Sequence, residues 1–128
     1  LGMVGMGSEL EPVMNDIARS FSDQLHMYHW AAGTESENSG EAIHILEVFR
    51  LGVDKWTMLD RITQSRGITS KNVLAIGDGL NDIGMLGNAG FGIAMGNAKP
   101  EIKAVASGVT SSIGGGVAKV IRELLDSR

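Results

Sequence analysis

The sequence has no cysteine among its 128 residues. Disulfide bonds and thiolate chemistry are therefore excluded, and the composition fits a reducing cytoplasm. Long apolar runs are also missing, because no stretch approaches the roughly 18 residues that a membrane-spanning helix needs. Positive charge is sparse, since 11 Lys and Arg are set against 15 Asp and Glu, for a formal net charge of −4. We therefore expect neither a membrane nor a nucleic acid as partner.

The residues that are present favour a folded protein. Hydrophobic residues make up 43% of the chain and charged residues 20%, which is close to the average of globular proteins. The length suits one ordinary domain, or two small pieces that share an interface.

The first fifty residues predict a small sheet with one helix, in the order β-α-β-β. Leu10, Met14, Ile17 and Phe21 recur at helical spacing and place apolar side chains on one face. The remaining segments are read as strands at residues 1–6, 24–30 and 42–49, with a solvated loop at residues 32–41.

From Arg50 onward the pattern becomes a regular alternation of helix and strand, which is typical of a parallel sheet with crossover helices. Asp54 is placed to cap the first of these helices, whose Met58, Leu59 and Ile62 we expect to face inward. Helices are predicted at residues 54–66, 81–88, 100–106 and 117–125, and strands at residues 73–76, 91–95 and around 109.

The segment VLAIGDGLNDIGML places Asp78 just after a buried strand, where open α/β sheets bind ligands. Asp82 follows four residues later and can return toward Asp78 from the start of the next helix. Two carboxylates beside Asn81 suit Mg²⁺, which prefers oxygen ligands. The competing interpretation is a polar turn in which Asp82 only caps a helix.

Lys55 is a second candidate, because it lies at the start of an earlier helix where its ammonium group could offset the charge of a phosphoryl group. On its own it is read as a solvated surface lysine rather than a catalytic one. His26, His29 and His44 could line a substrate surface or simply pack. We expect no zinc site, because cysteine is absent and the spacing of the histidines matches no recognised zinc pattern.

Three blocks, GVDKWTMLDRI, VLAIGDGLNDIGMLGNAGFGIAMGNAKPEIKAVASGVTSS and GGGVAKVIRELL, together carry a family resemblance. Residues 46–125 resemble the C-terminal half of haloacid dehalogenase-like phosphatases, in particular the sugar-phosphatase type with a large inserted cap. The resemblance implies an α/β fold, with residues 1–49 as part of a small α/β cap and residues 50–128 as the C-terminal portion of a Rossmann-like core.

The resemblance also implies roles for individual residues. Lys55 would stabilise the nucleophile and the phosphoryl group, Asp78 would ligate Mg²⁺, and Asp82 would hold the water shell of the metal. Asn81 precedes Asp82 as in many relatives, and Asn97 matches an asparagine near the active-site entrance; both are expected to bind the substrate phosphate. Trp56 departs from the family pattern, which usually has a small residue after the lysine, and could crowd the pocket or pack on the cap.

The implied activity is that of a magnesium-dependent phosphomonoester hydrolase, which acts on a phosphorylated small molecule such as a sugar phosphate through an aspartyl-phosphate. The family's nucleophile lies in an Asp-x-Asp element, and no such element occurs in these residues. We therefore expect the chain alone to be inactive and to self-associate or bind a complementary chain. The alternative is a non-catalytic binding or assembly module derived from such a phosphatase.

Overall fold

The computed structural model describes residues 1–35, 42–111 and 114–126. The chain divides into two compact units, Leu1–Val53 and Asp54–Arg128. The division follows the last strand of the first unit, which runs to Arg50, and lies a few residues after the boundary predicted between residues 49 and 50. In the described residues no helix combines the length and the apolar content that crossing a membrane requires.

The first unit is an antiparallel sheet covered on one face by a helix. Its elements are β1 (Gly2–Met6), α1 (Gly7–Phe21), β2 (Leu25–Glu35) and β3 (Ala42–Arg50), with strand order β1-β3-β2. Leu10 from the helix and Leu46 and Val48 from the central strand form its buried core. The predicted β-α-β-β order is confirmed.

Strand β2 is longer than the sequence indicates. The loop predicted from residue 32 was wrong for residues 32–35, because β2 continues past an irregularity and pairs Glu35 with Ala42. Pairing with a neighbouring strand outweighs the weak strand preference of this glycine-containing segment. The rest of the predicted loop, residues 36–41, lies outside the described residues.

The second unit alternates helix and strand around a parallel sheet of order β4-β5-β6, which confirms the predicted α/β class. Two short 3₁₀ turns, Ser70–Asn72 and Leu80–Asp82, precede β4 and α3 respectively. The remaining elements are α2 (Lys55–Ser65), β4 (Leu74–Gly77), α3 (Ile83–Asn88), β5 (Phe91–Ala94), α4 (Pro100–Val105), β6 (Gly108–Val109) and α5 (Gly116–Asp126).

The core of the second unit lies between the sheet and helices α3 and α4. Its buried side chains include Leu86 and Ile102, and Trp56 packs against them rather than crowding a pocket. The inward placement predicted for Met58 and Ile62 was wrong, since these side chains are 52% and 48% exposed. Trp56 is the α2 side chain that packs against this core, and Met58 and Ile62 lie more than 100° around the helix from it.

Candidate active site

Asp78 lies at the carboxyl edge of the parallel sheet, directly after β4. Asn97 follows β5, the strand that pairs in parallel with β4, and therefore reaches the same edge. The Nδ2 group of Asn97 donates a hydrogen bond of 2.9 Å to Oδ2 of Asp78. The backbone N–H of Met95 donates to the carbonyl of Gly77 at 2.9 Å and fixes the two loops side by side. The sheet thus brings together an exposed carboxylate and an amide that are 19 residues apart.

Asp82 is buried, with 5% of its surface exposed, and its two carboxylate oxygens are held by three donors. Oδ2 accepts hydrogen bonds of 3.0 Å from the backbone N–H groups of Asp78 and Gly79. Oδ1 accepts from Nζ of Lys55 at 2.5 Å. Asp82 therefore fixes both the loop that carries Asp78 and the direction of the lysine.

Gly77 makes this arrangement possible. A Cβ at residue 77 would lie 2.6 Å from both Cβ and Oδ2 of Asp82, closer than side-chain atoms approach one another. Because glycine has no Cβ, the Asp82 carboxylate can fold back under the Asp78 loop and reach its N–H groups.

Lys55 reaches the site from the first turn of α2. Asp54 caps that helix, since Oδ1 of Asp54 accepts hydrogen bonds from the backbone N–H and the hydroxyl of Thr57, at 2.8 and 2.9 Å. The Lys55 side chain is 46% exposed, so its ammonium group binds Asp82 and still faces solvent.

These side chains line one open pocket with a volume of about 530 Å³. Four of the five predicted site residues are among those that line it, and Asn81 is not. The lining residues are Lys55, Ile76, Gly77, Asp78, Asp82, Met85, Met95, Asn97 and Val117.

Lys103 is a contact of the site that the sequence does not indicate. Its Nζ group donates to the carbonyl of Gly96 at 2.6 Å, immediately before Asn97. A lysine near the end of a helix usually signals only a favourable interaction with the helix dipole. Its proximity to the Asn97 loop depends on how α4 folds back, which no local pattern shows.

Comparison with known proteins identifies the family of the chain. A family model described as haloacid dehalogenase-like hydrolase matches residues 8–121. The chain belongs to the haloacid dehalogenase-like hydrolase family. The resemblance drawn from the sequence motifs is therefore confirmed.

Individual members of the haloacid dehalogenase-like family show the same relationship. The chain is 47% identical over 78 residues to a 5-amino-6-(5-phospho-D-ribitylamino)uracil phosphatase of Bacillus subtilis, covering 60% of this chain and 31% of that protein. A haloacid dehalogenase-like hydrolase from Bacteroides thetaiotaomicron matches with TM-score 0.72 and 30% identity, over 96% of this chain and 42% of that one. A subclass IIB sugar phosphatase matches with TM-score 0.68 and 27% identity, over 97% and 43%. The chain thus spans less than half the length of each of these relatives.

The donor set of this haloacid dehalogenase-like chain fits part of a magnesium site. Asp78 presents an exposed carboxylate, whereas the Asp82 oxygens are engaged by Lys55 and the backbone. In the described ranges no three His, Asp or Glu side chains gather around one point. Mg²⁺ commonly needs only one or two protein carboxylates beside water and substrate phosphate. Asp78 would hold the ion directly, and Asp82 would act through the Asp78 loop.

The approach of α2 to α3 gives a first prediction. A Cβ at residue 84 would clash with Oδ2 of Asp54, whereas a Cβ at residue 87 of the same helix meets nothing within 4 Å. We expect Gly84→Ala to destabilise the fold by about 1–3 kcal/mol through overpacking. Gly87→Ala should instead stabilise it by up to about 1 kcal/mol, because alanine is the better helix former. Urea unfolding of both variants measures the difference, and equal stabilities would contradict the close contact.

Proposed function

We propose that this chain supplies the lysine and part of the metal site of a magnesium-dependent phosphomonoester hydrolase. The observation that carries the proposal is the convergence of the Lys55 ammonium, the exposed Asp78 carboxylate and the Asn97 amide on one pocket. The phosphatase activities named for the similar proteins support the same chemistry.

The charges of the site explain why a divalent cation is needed. Lys55 contributes one positive charge, while Asp78 and Asp82 contribute two negative charges. The site alone is therefore net negative and repels a phosphate ester. Asp78 would hold Mg²⁺ there, and the ion would supply two positive charges that offset this repulsion and polarise a phosphoryl oxygen.

Each residue of the chain then has a definite task. The Asp78 carboxylate holds the ion, and the Asn97 amide orients that carboxylate by donating to Oδ2. Lys55, held by Asp82 but open to solvent, contacts a phosphoryl oxygen and offsets the charge that develops during transfer. Asn81 would assist the substrate phosphate less directly, since it does not belong to the residues lining the pocket.

The nucleophilic aspartate that forms the aspartyl-phosphate would come from a segment outside these 128 residues or from a complementary chain. We assign residues 1–49 to part of a cap and residues 50–128 to the C-terminal portion of the core. The substrate would be a phosphorylated small molecule, as it is for the named ribitylaminouracil phosphatase and sugar phosphatase. We also propose a cytoplasmic location, which the absence of cysteine fits.

A turnover assay with p-nitrophenyl phosphate and Mg²⁺ tests this function. We expect negligible turnover by the 128-residue chain, because without a nucleophile no covalent intermediate forms. The complete gene product should be active. Lys55→Met in that product should lower kcat by at least about 100-fold, as expected for losing a group that stabilises transition-state charge.

Two results would contradict the proposal. Mg²⁺-dependent turnover by the purified 128-residue chain, abolished by Asp78→Asn, would show that the nucleophile lies within these residues. A folded but inactive gene product would favour the non-catalytic binding module instead.

A further inference from the structure

His29 and His44 meet on one face of the antiparallel sheet in the first unit. Nδ1 of His44 lies 2.9 Å from Nε2 of His29, and the two ring centroids are 4.7 Å apart. We propose that this histidine pair is a second metal site, which takes a borderline divalent cation such as Zn²⁺ or Ni²⁺. It belongs to a different compact unit from Asp78 and does not depend on the phosphatase chemistry.

The strand register explains how the two imidazoles come together. His29 lies opposite Leu46, and His44 lies opposite Ala31, so the two histidines are diagonal neighbours on β2 and β3. Diagonal positions share a face and lie within reach of long or ring-bearing side chains. His26 lies three residues before His29, and because successive strand residues alternate in direction it occupies the opposite face, where it contacts the rings of Tyr28 and Phe49.

The distance between the two nitrogens is close to that of a chelating pair. Two imidazole nitrogens on a tetrahedral zinc ion, each about 2.0–2.1 Å from the metal, lie about 3.3 Å apart. The observed 2.9 Å is a hydrogen-bond distance, so the rings need to separate by only a few tenths of an ångström. One proton must also move from the inner nitrogen to the outer nitrogen of the same ring. Both rings stay neutral, and each must turn so that its nitrogen lone pair points at the metal, which lies to one side of the line joining the two nitrogens.

The histidine pair is open to solvent on one side. His29 is exposed and His44 is half-buried, so solvent can deliver the metal and fill its remaining coordination positions. Gly7 lies against the His44 ring, since a Cβ there would be 3.1 Å from Nε2. Glu9 adds a negative charge nearby, because its Oε2 lies over Gly5, the residue opposite His44 on β1.

The chemistry of the donors separates this site from the first. Imidazole nitrogen favours zinc, nickel and copper, whereas Mg²⁺ takes oxygen ligands. In the described part of the chain no third His, Asp or Glu completes the pair, so water supplies the remaining ligands. We therefore expect a site that binds Ni²⁺ or Zn²⁺ and does not bind Mg²⁺.

Calorimetric titration of Ni²⁺ into the tag-free chain tests the proposal. The Asp78→Asn variant serves as starting protein, so that the carboxylate site does not contribute to the signal. We expect one Ni²⁺ per chain and at least 10-fold weaker binding after His29→Gln or His44→Gln. His26→Gln is the matched control and should leave the affinity unchanged, as should excess Mg²⁺.

Long-range ¹H–¹⁵N spectra of the histidine rings provide an independent readout with Zn²⁺ in the unsubstituted chain. The ring signals of His29 and His44 should shift together, and those of His26 should not. If His44→Gln does not fold, the Ni²⁺ affinity of the exposed His29→Gln variant and these spectra still test whether the histidine pair binds the metal. Equal Ni²⁺ affinity in the His29→Gln and His26→Gln variants, or zinc-induced shifts at His26 alone, would overturn the proposal.

Discussion

Asp82→Ala is expected to destabilise the second unit by about 2–4 kcal/mol, whereas Asp78→Ala should change its stability by less than about 1 kcal/mol. The two aspartates belong to one GDGLND segment, but their environments differ. Asp82 is 5% exposed and accepts hydrogen bonds from Lys55, Asp78 and Gly79. Hydrogen bonds to a charged group each contribute more to stability than neutral ones do. Their loss also leaves two backbone N–H groups without an acceptor. Asp78 is exposed, and among the residues that the structure describes its carboxylate has one side-chain partner, Asn97.

Urea unfolding of the two alanine variants measures this difference directly, and Asp78→Ala is the matched control. A double-mutant cycle with Lys55→Met separates the ion pair from the backbone contacts. Because Lys55 is 46% exposed, we expect the backbone contacts to account for the larger share. Mg²⁺-induced NMR shifts around residues 78 and 97 should disappear in Asp78→Asn. Equal destabilisation by both alanine substitutions would show that Asp82 has no special structural role.

The separation of these two roles could be predicted only in part from the sequence. The four-residue spacing indicates that Asp82 can return toward Asp78, and the structure confirms this through the Asp78 backbone N–H. The spacing does not reveal that Lys55, 27 residues earlier, takes the other carboxylate oxygen. That contact depends on how α2 packs against α3, which is a tertiary property.

The same limit applies to the faces of helices and strands. Periodicity identifies α2 and its apolar stripe correctly, but it does not tell which neighbour covers the stripe. Met58 and Ile62 have the helical spacing of buried residues, yet both side chains are exposed. In the first unit the histidines at residues 29 and 44 share no local motif, and only the register of β2 on β3 brings their rings together.

We expect the unpaired edge of strand β4 to change the oligomeric state of the chain. Strand β4 lies at one edge of the described sheet and pairs only with β5. The carbonyls of Val73 and Gly77 accept hydrogen bonds from Phe91 and Met95, so the peptide groups of residues 73 and 77 face β5. Because strand positions alternate, those of Leu74 and Ile76 face the open edge. Such an edge is a template for pairing with another chain.

Exposed apolar side chains near this unit's helices favour the same outcome. Val117, Ile121 and Leu125 of α5 are 46%, 44% and 58% exposed, in addition to Met58 and Ile62 on α2. Burial of such surface against a partner releases about 25 cal/mol per Å² of apolar area. We therefore expect the 128-residue chain to dimerise, bind a complementary chain or aggregate, rather than remain a monomer.

Light scattering across a dilution series measures this association, and two lysine variants locate it. Leu74→Lys places a charge on the β4 edge and should shift the chain toward the monomer, because charged side chains disfavour edge pairing. Val4→Lys on β1 is the matched control, since Val4 is 71% exposed on an edge strand of the other sheet. It should leave the association unchanged, and circular dichroism confirms that both variants fold. A compact monomer at high concentration, with slow amide exchange at Leu74 and Ile76, would mean that the β4 edge is already protected within the chain.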